Sequence, residues 1–185
     1  MIEVINQETR ERMKKSVDAL AQNFSRIRTG RAHPSLLDGV KVSAYGTESS
    51  LNQVASVNVE DARTLMLTVW DRNMIPEIEK AILRSDLGLN PVTAGEIVRI
   101  PMPLLTEESR KGFIKQAKSE AEGARVSIRN SRRDALASLK ALVREKEISE
   151  DEERRASDLI QRLTDEYIKA IEEALEEKEA DLLEI

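Results

Sequence analysis

The 185-residue chain has 34% charged and 3% aromatic side chains, seven glycines, five prolines and a formal net charge of -5, the profile of long helices rather than of a sheet-rich enzyme. It has no cysteine, which excludes a disulfide framework and thiolate chemistry and points to a reducing compartment. No stretch approaches the ~18 apolar residues of a membrane span, and the opening MIEVINQETRERMKK carries acids instead of an apolar leader, so a cytoplasmic protein without a membrane partner is expected.

Residues 1–29 are expected to form a helix. Met13, Val17, Leu20, Phe24 and Ile27 recur at alternating steps of four and three, the seam of a coiled-coil-like rod, and Gly30 stands where a C-terminal cap belongs. From 31 to 104 the period changes. VKVSAY (40–45) alternates apolar and polar residues, while VASVNV (54–59), TLMLTVW (64–70) and GEIVRI (95–100) are short β-branched or apolar runs, all read as strands. Between them Pro76 suits a first helical turn. EIEKAILRS (77–85) then sets Ile78, Ala81, Ile82 and Ser85 on one side, ending near Gly88. Gly46, Asn90 with Pro91, and Pro101 with Pro103 mark turns or stops.

Helical periodicity returns after PMPLL. Thr106 can cap, Glu107 and Glu108 suit the first turn, and Ile114, Ala117, Ala121, Ala124, Ile128, Ala135, Leu139 and Leu142 extend a seam to about residue 146. SEDE (149–152) has the capping-box pattern and opens a third long helix with a seam of Ala156, Ile160, Leu163, Tyr167, Ile171 and Ala174. Three seams, none of which can be buried alone, and short links imply an α+β but mostly α protein: a long antiparallel three-helix bundle of residues 1–30 with 105–185. Residues 31–104 form a small β/α/β domain inserted into it. Two chain crossings, near 30–32 and 104–105, are expected to act as a hinge of restricted axis.

Charge is segregated along the chain. Residues 110–146 hold eleven Lys/Arg against four Asp/Glu, a net of +7, whereas 147–185 hold five against fifteen, a net of -10. Neighbouring helices of opposite charge would attract, and each exposed face would be solvated.

Catalytic chemistry finds little support. His33 is the sole histidine, no HExxH spacing exists, and neither GxxxxGK[ST] nor GxGxxG occurs, so no metal, cofactor or phosphate cradle is expected. His33 precedes Pro34 with no nucleophile motif around it, which fits a turn residue. The carboxylate runs of the last helix fit a solvated face. A non-enzymatic protein is expected.

The arginines of ARVSIRNSRRDA (124–135) are a different matter. Arg125, Arg129, Arg132 and Arg133 fall at i, i+4, i+7 and i+8, on one helical face. With Ala121, Ala124, Ile128 and Ala135 turned inward, that face lies outward or on the flanks. Guanidinium forks suit phosphate oxygens, and aromatic residues for stacking on bases are almost absent, so shape and phosphate recognition of folded RNA fits. A salt-bridged bundle surface fits equally well.

Five longer strings occur in order: IRTGRAHPSLLDG (27–39), SDLGLNP (85–91), PLLTEESRKG (103–112), ARVSIRNSRRDA and KEISEDEERR (146–155). With these the whole chain strongly resembles the bacterial ribosome recycling factor family. The resemblance implies an L-shaped, tRNA-like outline and a protein that binds the post-termination ribosome between the subunits. There, with elongation factor G and GTP, it would split the ribosome and release mRNA and tRNA. It implies that a monomer contacts large-subunit RNA through Arg129, Arg132 and Arg133 and near the hinge through Arg28 and Arg31, with Arg125 on the same basic face. The hinge would comprise Gly30, Arg31, Ala32, Leu104 and Leu105. Three positions depart from the family pattern: Ser131 replaces an aliphatic residue, Ser109 a basic one and Leu104 a proline. A helical adaptor that docks partner proteins through coiled-coil-like surfaces is the alternative, with the arginines paired to the acidic third helix.

Overall fold

The computed structural model describes residues 1–184 and divides the chain into two compact units, Met1–Arg28 with Glu107–Ile185, and Thr29–Thr106. The first is a bundle of three long helices: α1 (Ile2–Ser25), α3 (Glu107–Arg144) and α4 (Glu150–Leu183). The second holds β1 (Lys41–Ala44), β2 (Thr47–Ser50), β3 (Ala55–Asp61), β4 (Thr64–Val69), α2 (Ile75–Arg84), β5 (Val92–Ala94) and β6 (Ile97–Pro101). The mostly helical α+β class and the inserted module are as the sequence implies.

Cross-helix pairs give the directions within the bundle. Lys118 pairs with Glu179, Arg125 with Glu172 and Arg132 with Gln161, so positions rise on α3 as they fall on α4, and the two run antiparallel. Asn23–Glu120 and Arg12–Asp134 make α1 antiparallel to α3 in the same way. Along the seams Met13, Leu20 and Phe24 of α1, Ala121, Ala124, Ile128 and Leu139 of α3, and Ile160, Leu163 and Ile171 of α4 are all buried. On α4 it is Leu175, not the expected Ala174, that is buried, and the seam runs on to Leu182. Val17 and Leu142 are half-buried.

The first helix is shorter than the expected 1–29. It stops at Ser25, and Arg26 and Ile27 donate to carbonyls three residues back, a tightened last turn. Gly30, with φ +78, therefore stands beyond the helix and is not its cap. The cap position between α3 and α4 is filled by Lys146. Its φ is +58, and the amides of Glu147 and Lys146 donate to the carbonyls of Leu142 and Val143, a Schellman closure. A lysine is strained in this left-handed conformation. Lys146→Gly is expected to raise bundle stability by about 0.5–1 kcal/mol, the relief of strain less the entropy of a freer unfolded chain, read as a higher thermal midpoint.

At the other side of this link the capping box is complete. The Ser149 hydroxyl accepts from the Glu152 amide at 3.1 Å, and the Glu152 carboxylate accepts from the Ser149 amide at 2.7 Å. Hydrogen bonding from the Ser149 amide first, and then from its side chain, holds the Glu152 carboxyl below its ordinary range. The cap is therefore at full strength above the usual carboxylate pKa and weakens as pH falls through the lowered folded value. Ser149→Ala is expected to cost about 1 kcal/mol at neutral pH, and the stability difference from the parent, followed by urea denaturation, should shrink in acid.

In the module an antiparallel sheet runs β3-β4-β6-β5, and β1 and β2 form a separate hairpin. Leu65, Leu67 and Val69 of β4 alternate inward with Val98 and Ile100 of β6, joining Ile78 and Ile82 of α2 in one core. Strands β2 and β5 were not foreseen in the sequence. Polar TESS becomes a strand only because the Tyr45–Gly46 turn folds it back on β1. His33 proves to be a turn residue: its ring nitrogen Nδ1 accepts from the Ser35 amide at 3.2 Å and caps the short 3-10 turn Pro34–Leu37.

Candidate nucleic-acid interface

On a wheel of about 100° per residue, Lys111, Lys115, Lys118, Arg125, Arg129, Arg132, Arg133, Lys140 and Arg144 all fall on the α4 side of the α3 seam. Of the acids of α3, Glu107, Glu108 and Glu122 share that side, whereas Glu120 and Asp134 fall on the other, where Asn23 and Arg12 of α1 meet them. One long flank of α3 is therefore basic over most of its 38 residues, about 57 Å at the usual helical rise.

The four arginines of that flank are not equivalent. Arg125 is 19% exposed and held by two carboxylates: its Nε and Nη2 donate to Glu172 at 2.5 and 3.1 Å, and its Nη1 donates to Glu122 at 2.8 Å. Glu172 first and then Glu122 push the Arg125 pKa up, and its charge is compensated within the bundle. Arg129 is 51% exposed and donates through Nη2 to Glu122 at 3.3 Å, so it shares an acid that Arg125 already engages. Glu122 in turn is held below the ordinary carboxylate range, by the Arg125 hydrogen bond first.

Arg132 and Arg133 differ in kind. Arg132 Nη1 donates to the amide oxygen of Gln161 at 3.1 Å, and Gln161 Nε2 donates onward to Asp165 at 2.9 Å, which fixes which way the amide faces. Arg133 Nη2 donates to the amide oxygen of Asn130 at 3.0 Å. Among the described residues, then, both guanidinium groups are oriented by neutral oxygens and keep an uncompensated charge. Arg132 is half-buried, and its Nε is sequestered without a partner, so packing holds its stem while Nη2 has no assigned role. An arginine placed this way offers donors to a phosphate without first breaking an ion pair. Gln161, Asp165 and Asn130 were missed in the sequence, because a surface amide carries no motif. The one available signal was the i, i+4 pair of Gln161 with Asp165.

The remaining expected residues lie in the module and its edges. Arg28 is half-buried and Arg31 exposed. A Cβ on Gly30 would meet only ordinary contact with Leu105 at 3.6 Å, so the glycine is required by its φ of +78 and not by space. The Ala32 amide donates to the Ala62 carbonyl at 2.8 Å, and the Met102 amide donates to the Arg63 carbonyl at 2.7 Å. Both connecting segments are thus pinned to the one turn between β3 and β4. Leu104 is 69% exposed. Among the described residues no group of three or more His, Asp or Glu could hold a metal ion, and no helix is long and apolar enough to cross a membrane.

The description of the ribosome recycling factor family matches residues 20–183, nearly the whole chain. The chain belongs to the ribosome recycling factor family. Ribosome-recycling factors from Saccharophagus degradans and Marinomonas sp. are 61% and 59% identical to it, each aligned over all 185 residues and over the full length of the relative. A solution structure of a ribosome recycling factor superposes with a TM-score of 0.77 at 37% identity, covering 100% of this chain and 98% of that one. A second match, at 46% identity and TM-score 0.66 with both chains fully covered, comes from models for the T. thermophilus ribosome recycling factor and the E. coli elongation factor G bound to the E. coli post-termination complex.

Within this family the serine at 131 has a clear physical place. It is 3% exposed in the seam of α3, and its hydroxyl donates to the Ser127 carbonyl at 3.1 Å, so the polar group is satisfied by its own helix. The seam loses apolar volume there but gains no orphaned donor.

Proposed function

We propose that this chain recycles ribosomes without making or breaking a bond. The basic flank of α3 docks on large-subunit RNA in the intersubunit space of a post-termination ribosome, and elongation factor G, using GTP, then drives the subunits apart and frees mRNA and tRNA. The observation that carries the reading is the arrangement of Arg132 and Arg133, two positive groups on one rod held by amides instead of carboxylates. Arg129 adds a loosely paired third charge, and Arg28 and Arg31 extend the contact toward the connecting segments. Arg125 ties α3 to α4 and supports the surface from beneath. A cytoplasmic monomer suffices for this role.

Motion of the module would be absorbed by few residues. Ala32 and Met102 are both tied to the β3–β4 turn, which leaves Gly30 and Arg31 on one connection and Leu104 and Leu105 on the other to change their dihedrals. An exposed leucine at 104 constrains the second connection less than a proline would.

The test is a subunit-splitting assay by light scattering, with elongation factor G, GTP and post-termination ribosomes. Splitting should require the chain and be lost in Arg132→Ala/Arg133→Ala. Splitting at the parent rate by that variant would defeat the reading and leave the adaptor role, which the Arg125 clamp alone favours.

A further inference from the structure

The chain has one tryptophan and two tyrosines, and two of these three residues, Tyr45 and Trp70, stand exposed in the module. Tyr45 is 80% exposed and Trp70 is 65% exposed. Both are rigidly held. Tyr45 forms the β1–β2 turn with Gly46, both at positive φ, a conformation that disfavours a bulky residue. Its hydroxyl donates to Oδ2 of Asp71, the residue after Trp70. Asp71 Oδ1 in turn accepts from the Asn73 amide at 3.0 Å. The backbone of Trp70 is fixed by its own amide, which donates to Val54, and by the preceding Val69 amide, which donates to the Glu96 carbonyl. The Tyr45 hydroxyl thus rests on the carboxylate of the residue that follows Trp70 in the chain, which places Tyr45, Asp71 and Trp70 in one exposed neighbourhood.

The bundle docking proposed above uses none of these residues. Exposed tryptophan and tyrosine are side chains that dominate binding at protein interfaces, since each has only two rotatable side-chain bonds to order on contact. The carboxylate of Asp71 selects the partner. Asp71 would repel nucleic-acid phosphates, and a symmetric contact between two copies would bring Asp71 against Asp71 in a chain of net charge -5. Asp71 uses two of its roughly four acceptor positions, so it can still receive a cationic donor.

We propose that Tyr45, Trp70 and Asp71 form a docking site for a protein partner that presents an arginine or lysine, its cation lying on the indole face and donating to the Asp71 carboxylate. As Trp70 is the sole tryptophan, its emission reports this site without a label. Hexa-arginine, hexauridylate and simple dilution of the full chain are three arms of one fluorescence titration. Hexa-arginine should change the emission saturably, and Asp71→Asn, which keeps Oδ1 for the Asn73 amide and lets the Tyr45 hydroxyl accept from Nδ2 instead, should weaken that response at least fivefold with circular dichroism unchanged. Arg132→Ala/Arg133→Ala should respond to hexa-arginine like the parent, which separates this site from the ribosome-docking flank. Emission unmoved by hexa-arginine, an undiminished response in Asp71→Asn, a saturable response to hexauridylate, or a change on dilution that marks self-association would each overturn the proposal.

Discussion

Ile128→Ala is expected to destabilise the helical bundle by about 3–5 kcal/mol, the upper part of the range for such truncations, while leaving the module's own unfolding in place. The reason is the composition of the α3 seam. Ala117, Ala121, Ala124, Ser131 and Ala135 line it, with Ile128 and Leu139 the large buried side chains among its described residues. Small residues let the helices approach closely, and they cannot swing into a void left by the isoleucine. Leu67→Ala should act conversely, because Leu67 is fully buried in the module's core. The two effects can be read separately on one sample. Helical circular dichroism follows α1, α3 and α4, and Trp70 emission follows the module. At roughly 4–8 °C per kcal/mol for a cooperative unit of about 100 residues, Ile128→Ala should move the first signal by at least about 12 °C and barely move the second. A common shift of both signals would show that the units unfold as one.

The long helices and the sheet-forming stretch between them were largely legible in the sequence, because a change of hydrophobic period needs no knowledge of the fold. The spacing of four and three in α3 and α4, the alternation in β1, the apolar runs of β4 and β6, and the capping box at Ser149 are local patterns, and each became the expected element. The failures were where tertiary context decided. Asn6 and Thr9 are buried in the α1 seam, the Thr9 hydroxyl donating to the Ile5 carbonyl at 2.7 Å, yet as polar residues they cut the expected seam short at Met13. Ile27 kept the helical period and is buried although the helix has ended. Strand β5 has three residues, all exposed, and exists through its pairing with β6. The interface divides in the same way. Position on one face placed the four arginines together, but which of them is neutralised depends on the register of α4, which sets Glu172 opposite Arg125 and Gln161 opposite Arg132.

That difference between Glu172 and Gln161 makes the arginines separable by experiment. Arg132→Ala should weaken binding to purified large subunits by about 1–3 kcal/mol, a loss of roughly 5- to 150-fold in affinity, because a charge-assisted contact is removed. Arg133→Ala should act in the same direction. The two effects need not add, since neighbouring residues can share one phosphate. Arg125→Ala should behave oppositely: its charge is already met by Glu122 and Glu172, so affinity should change less than about threefold. The bundle should instead lose about 1 kcal/mol, as a partly buried pair is broken and two acids are left facing each other. Salt gives a second readout. Each phosphate contact contributes about 0.7–0.9 to the slope of log affinity against log salt, so the slope should fall by about that amount in Arg132→Ala and stay fixed in Arg125→Ala. Sedimentation with large subunits across a salt series measures both quantities. Equal losses of affinity in Arg125→Ala and Arg132→Ala would mean that the bound state rearranges the Glu122–Arg125–Glu172 clamp and recruits all four guanidinium groups.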